Sequence, residues 1–159
     1  PIKSSAASDV YKRQELLPAI HENFRLATVV RGSADDFEVM YGLRDAEEIY
    51  HRHIAPYCPL FLCTCGAENI MLCTPKGSSR FPVPPVRTVS TIGAGDNFNA
   101  GFIYGLIRYG IRRTGLPDLS EAQWEHAVTC GIRFAANACA SIHNSIDEDF
   151  GRQMSRKMP

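Results

Sequence analysis

Ser90-Thr91-Ile92-Gly93-Ala94-Gly95-Asp96-Asn97-Phe98-Asn99-Ala100-Gly101 is the stretch on which the reading of this chain turns. A turn of small residues, an acid directly behind it and a run with helical spacing follow one another. Gly-Ala-Gly lets bare backbone N–H groups approach a ligand, because no large side chain stands in the way. At a helix N-terminus those groups have no intrahelical partner and lie at the positive end of the macrodipole. Such a turn suits an anion, and phosphate is the usual one. Gly93, Ala94 and Gly95 are therefore the candidate anion hole. Asp96, in the first turn of the helix, is the candidate base, since a carboxylate there can take the proton of an attacking hydroxyl. Turn, helix and acid together point to phosphoryl transfer to an alcohol. The plainer reading of the same four residues is a loop with an acidic N-cap.

The helix behind the turn has support of its own. Phe98, Phe102, Gly105 and Tyr109 recur at roughly helical spacing, with Leu106 beside them. Gly101 and Gly105 lie four apart and leave one smooth face able to pack tightly on a neighbour. Each weakens a helix by about 1 kcal/mol relative to Ala, so packing or function has to account for it.

From Ser90 to Ile103 the sequence closely resembles the second signature of the ribokinase-like (PfkB) carbohydrate kinases. That pattern is a small or acidic residue, Thr, any residue, Gly-Ala-Gly-Asp, three residues, then small residues and an apolar run. The resemblance runs from Leu26 to about Ile146 and covers only the C-terminal half of a family domain. The sugar-contacting N-terminal half, with its glycine pair and small β-lid, has no counterpart in this sequence. The resemblance implies an α/β fold of ribokinase-like type, the C-terminal portion of a three-layer α/β/α domain. It implies ATP-dependent phosphotransfer to an alcohol group of a sugar, as in fructokinases and ribokinases. ATP and Mg2+ are the implied cofactors, and ATP with a small sugar or related alcohol the implied partners. A homodimer of a full-length parent and a cytoplasmic location go with the same reading.

Looser matches extend the implied site. Thr64-Cys65-Gly66-Ala67-Glu68 looks like the strand-end turn that passes the nucleotide, so Thr64 and Gly66 are expected at ATP; a plain hairpin turn is the other reading. Asn137 matches a family position near the adenine, against a helix residue satisfied by the backbone. Cys139, Ala140 and Ser141 continue that wall. The family's Asn-x-x-Glu is replaced by Ser33-Ala34-Asp35-Asp36. Ser33 and Asp36 could order water around magnesium, although a solvated helix start explains them equally well. Ser90 stands where many members carry an Asp that helps bind a monovalent cation, which makes that cation doubtful here.

Composition agrees with a partial α/β domain. The chain has 159 residues, of which 45% are hydrophobic, enough for a core. Seventeen basic residues balance 17 acidic ones, so charge makes no case for nucleic acid or a membrane surface. No run approaches the ~18 apolar residues of a membrane span. The six cysteines show no Cys-x-x-Cys pair, so buried free thiols in a reducing compartment are expected. His51 and His53 lie two apart on a predicted helix and do not face one site. There is no Gly-x-x-x-x-Gly-Lys-[Ser/Thr] motif, which excludes a P-loop kinase, and no Gly-x-Gly-x-x-Gly after a strand.

The remaining segments alternate in the α/β manner. Residues 1–14 are small, polar and aperiodic, and read as a non-native or disordered leader; 15–150 form the family domain and 151–159 a tail. Leu16 to Phe24 reads as a short helix interrupted by Pro18, and Leu26 to Val30 as a strand. Ser33 caps a helix with Asp35 and Asp36 in its first turn, and Asp45 opens another carrying Ala46, Ile49, Tyr50 and Ile54. Leu60 to Thr64 and Ile70 to Cys73 are expected strands, Lys76 to Pro85 a loop, and Val86 to Val89 a short strand leading into the motif. Ser120 and Gln123 make a capping box for a helix with Trp124, Ala127, Val128, Gly131, Ala135, Ala138 and Ile142 on one stripe. Alternation of this kind implies a largely parallel sheet covered on both faces. Two other functions fit the same residues: a kinase of this fold acting on a nucleoside or vitamin alcohol, and a catalytically incomplete nucleotide-binding fragment.

Overall fold

In a computed structural model of the chain, residues 5–156 are described, with side chains from residue 15 onward. The chain divides into two compact units, the first ending at Arg80 and the second beginning at Phe81.

The first unit opens with helix α1 (Ser5–Leu26), which carries Pro18 inside it. It begins well before Leu16, so the backbone of residues 5–14, expected in a non-native or disordered leader, is helical; residues 1–4 lie outside the described part. Strand β1 (Val30–Ser33) follows. The strand expected at Leu26–Val30 is thus displaced toward the C-terminus. Leu26 still belongs to α1, and Ala27 N–H still donates to the helix carbonyls of Asn23 and Phe24. Pairing with the neighbouring strand, which begins where Val30 N–H donates to Leu60 O at 2.9 Å, sets where β1 starts.

Helix α2 (Ala34–Tyr41) starts where Ser33 caps it, as expected, and closes on the left-handed Gly42. Asp45 caps α3 (Ala46–Ile49), which widens into a π-turn over Tyr50–Ile54. Strands β2 (Phe61–Cys65), β3 (Asn69–Thr74) and β4 (Gly77–Pro82) complete a four-stranded sheet in the order β1-β2-β3-β4. β4 occupies part of the expected Lys76–Pro85 loop: its residues lack hydrophobic alternation, and pairing with β3 supplies what the pattern does not. The sheet is mixed. β1 and β2 run parallel, with Ser33 opposite Thr64, whereas β2 and β3 form an antiparallel hairpin. The sheet expected to be largely parallel is therefore mixed, because a short turn can join only antiparallel neighbours.

Phe37, Ile49, Ile54, Phe61, Cys63 and Cys73 are completely or almost completely buried in the core of this unit. Phe37 meets Phe61 edge to face. Burial pushes the Cys73 thiol up to about 12 and raises Cys63 as well. All six cysteines are free thiols, and only Cys65 is not buried. His53 stacks on Tyr41, while His51 packs edge-on to Tyr50, so the two histidines do go to different surroundings.

The second unit is built on two long helices, α4 (Ala94–Arg108) and α5 (Glu121–Cys139). Their contact explains the glycines. A Cβ built on Gly101 would lie 2.6 Å from Cys130 O and 2.7 Å from Phe134 Cβ, and one on Gly105 would lie 2.9 Å from Ala127 Cα. Gly131 of α5 does the same for Phe98 of α4, with 2.8 Å to the ring. Ser120 and Gln123 form the expected capping box. Helix α6 (Glu148–Arg156) runs through the expected tail, and its Met154 is buried against Cys130 and Phe134. Residues 157–159 lie outside the described part. Among the described residues no helix is long and apolar enough to cross a membrane.

Candidate active site

Gly93 is the N-cap of α4 and adopts φ 76°, ψ 0°. That left-handed conformation suits glycine, and it turns the chain sharply into the helix. Two further bonds shape the approach: Ile92 N–H donates to Ser90 Oγ at 3.2 Å, and Ala94 N–H donates to Thr91 O at 3.2 Å. Ser90 therefore acts here as a turn former. The Ala94 amide is already engaged, so the groups at the helix start without an intrahelical acceptor are the N–H of Gly95 and of Asp96. Asp96 is exposed in the first helical turn, and its carboxylate is in no ion pair among the described residues. The segment expected as the strand Val86–Val89 lies in no strand. Val89 N–H and Ser90 N–H both donate to Cys139 O, at 2.8 and 3.2 Å, which ties the approach to the end of α5.

Two residues that the sequence did not flag hold this turn. Asn97 Nδ2 donates to Gly93 O and to Asn144 O, both at 2.9 Å. A polar side chain one helical turn behind a cap carbonyl commonly bonds back to it, and that spacing was the available signal. Asn144 itself is left-handed, with φ 55°. Asn137 lies in α5, close to its end. Its amide donates to Asp147 Oδ2 at 2.7 Å, and its carbonyl oxygen accepts from Asp147 N–H at 2.9 Å. Asp147 in turn accepts from Phe150 N–H, first among the causes that hold its carboxyl below the usual range. Asn137 thus fastens the end of α5 to the start of α6.

The first unit contains the other candidates. Ser33 and Asp36 form a reciprocal cap, Asp36 N–H to Ser33 Oγ at 3.1 Å and Ser33 N–H to Asp36 Oδ2 at 2.8 Å. Ser33 sits beside Thr64 in the sheet register, so Ser33, Asp36 and Thr64 do gather at the carboxyl ends of β1 and β2. Thr64 Oγ1 accepts from Arg31 at 3.2 Å and donates to Gly32 O at 3.4 Å. Gly66, with φ 61°, lies in the β2–β3 hairpin turn. Beside that turn is a cleft of ≈ 480 Å3, lined by Arg44, Cys65, Glu68 and Arg80 among others. Among the described residues no three acidic, cysteine or histidine side chains cluster for a metal. In the Asp36 carboxylate Oδ2 serves the cap; a serine hydroxyl and a carboxylate oxygen are donors that suit magnesium through its water.

The folds of solved kinases match this one. The fructokinase of Vibrio cholerae O395, solved with fructose, ADP and calcium ion, is 24% identical; it superposes with a TM-score of 0.69 over 92% of this chain and 46% of that one. The fold is therefore α/β of the ribokinase-like type, with a mixed sheet. The model of the pfkB family carbohydrate kinases matches residues 3–147, and the chain belongs to that family. Aminoimidazole riboside kinase of Salmonella typhimurium strain LT2 is 28% identical over 130 residues, 80% of this chain and 36% of that protein. Fructokinase of Klebsiella pneumoniae is 33% identical over 122 residues, 74% and 38%. The chain spans less than half the length of each relative.

Proposed function

We propose that the natural protein transfers the γ-phosphoryl group of ATP to a hydroxyl of a sugar or a riboside. One observation carries the reading: an exposed carboxylate, Asp96, stands in the first turn of a helix whose left-handed glycine cap leaves the Gly95 and Asp96 amides without intrahelical acceptors. The relatives support the acceptor class, since one is named for fructose and another for aminoimidazole riboside.

The residues divide the work as follows. The Gly93-Ala94-Gly95 turn presents the Gly95 and Asp96 N–H groups and the helix dipole to the transferring phosphoryl oxygens, where charge spreads in a loose transition state. A donor of this kind is worth about 3–4 kcal/mol where it has been removed from comparable holes. Asp96 orients the acceptor hydroxyl and takes its proton as the new O–P bond forms and the bond from the γ-phosphorus to the β–γ bridging oxygen breaks, releasing ADP. Thr64 and Gly66 are assigned to the nucleotide. Asn137 is assigned to the adenine end, where its bonds to Asp147 hold the loop it would present. Ser33 and Asp36 would hold the water of a magnesium ion bound with ATP, and that ion would supply neutralisation of phosphate charge. We assign no site to a monovalent cation, because Ser90 is spent on the turn.

The test uses the intact natural protein. ADP release is measured with fructose and with aminoimidazole riboside. Asp96→Asn is expected to lower kcat by at least ~10²-fold, the low end for a general base, with binding of a non-hydrolysable ATP analogue nearly intact. A variant keeping more than about half the activity would remove Asp96 from the mechanism.

A further inference from the structure

The anion turn is held by a clamp that lies outside the family signature's glycines and acid. Asn97 Nδ2 spends its two N–H groups on two carbonyls, Gly93 O and Asn144 O, each at 2.9 Å. The first lies four residues back in the same helix; the second comes from the segment joining α5 to α6. The contact is close in backbone terms too. A Cβ built on Gly93 would fall 3.1 Å from Asn144 O and 3.3 Å from Asn144 Cβ. Asn144 holds its carbonyl there in a left-handed conformation that non-glycine residues seldom adopt. The joining segment is fastened at its other end by Asn137, through both of its bonds to Asp147. The approach to the turn is fastened as well, by Val89 and Ser90 N–H on Cys139 O.

From this geometry we propose that Asn97 is a positioning residue. Its amide locks the Gly93 turn against residues 141–146, so that the Gly95 and Asp96 N–H groups keep a fixed aim at the phosphates. The phosphate role rests on the phosphotransfer reading above; the clamp itself does not. Preorganised donors stabilise developing charge without reorganising at the moment of reaction, and a donor is only as well aimed as the turn that carries it. The alternative is a local helix-start bond with no reach beyond the first turn.

Two variants of the intact protein separate these. Asn97→Ala removes both bonds. Asn97→Ser leaves a hydroxyl able to bond back to Gly93 O, but too short to reach Asn144. Without any ligand, amide hydrogen exchange is followed for peptides covering 90–98 and 141–146. Both segments should exchange faster in Asn97→Ala, and 141–146 should do so in Asn97→Ser as well. Binding is then compared for AMP-PNP and for adenosine, which has no phosphates. AMP-PNP should weaken about tenfold in both variants while adenosine binding holds. Unchanged exchange at 141–146 in Asn97→Ala overturns the clamp. Equal weakening of AMP-PNP and adenosine, or unchanged AMP-PNP affinity, overturns the aim at phosphate. If exchange responds as stated but the unsubstituted protein shows no phosphate-dependent binding, the clamp stands and the phosphotransfer reading fails.

Discussion

Asp36 shows how one side chain serves two readings at once. The Ser33 backbone N–H, first, and the Ser33 hydroxyl bond hold the Asp36 carboxyl below its ordinary range. The native state therefore binds fewer protons at this site than the unfolded chain does. The resulting stability is fully present above the unfolded carboxyl pKa and is lost as pH falls through the folded one. The melting midpoint of Asp36→Asn should thus lie below that of the unsubstituted chain at neutral pH, and the gap should close on acidification. A gap that widens toward acid would contradict the cap. The cap engages Asp36 Oδ2, so Oδ1 is the oxygen that the magnesium-water role proposed above would use. Gly93 poses a similar question at the start of α4. Its left-handed backbone and its closeness to Asn144 give it two independent reasons to be glycine.

At the scale of elements, α4 and α5 approach so closely that glycine is the packing residue. Gly101, Gly105 and Gly131 replace the side chains that would otherwise stand between the backbones, and Phe98 fills the space over Gly131. The helix propensity that glycine loses is offset by burial of Phe98, Phe102, Trp124 and Val128. Gly101→Ala should cost about 1–3 kcal/mol, because the added methyl meets backbone and ring atoms that cannot swing away. Gly115, where a Cβ would meet nothing within 4 Å, is the matched control and should tolerate alanine. Thermal melts of the two variants make the comparison; equal midpoints would show that the helices relax apart. Since α4 carries the turn and α5 ends at the segment that braces it, this packing also sets the site. Of the α5 stripe read from the sequence, Trp124, Ala127, Val128, Gly131 and Ala138 are buried and Ala135 is half-buried, whereas Ile142 lies beyond the helix and is exposed.

On the scale of the whole molecule, each unit has a core of its own. Phe37, Ile49 and Phe61 belong to the core of the first, while Cys130, Phe134 and Met154 belong to a cluster in the second. Residues 83–90 between β4 and the turn lie in no helix or strand, and Arg87 among them is exposed. Loops of this kind are where native proteins are nicked first. Limited trypsin digestion should therefore cut after Arg87 before any other site within residues 15–156, and mass spectrometry of the early fragments reads the result. Early cuts inside α4 or α5 would show that the second unit is looser than its packing indicates.

Some of this was settled by the sequence alone. Small residues followed by Asp96 announce a glycine-capped helix start because backbone freedom depends on residue type. Caps at Ser33, Asp45 and Ser120 were legible for the same reason: a short polar side chain bonds its own backbone nearby. Gly101 and Gly105 announced a close helix contact through their spacing. What escaped depends on partners far along the chain. β1 begins at Val30 and β4 exists at all because neighbouring strands pair there; the apolar run at Leu26 and the polar run at Gly77 carry no trace of it. The hairpin made the sheet mixed, a matter of which ends meet rather than of composition. Asn97 read as an ordinary helix residue until Asn144, 47 positions later, supplied its second acceptor. Local chemistry is written in residue type and spacing, whereas register and long-range bonds are decided only when the chain closes on itself.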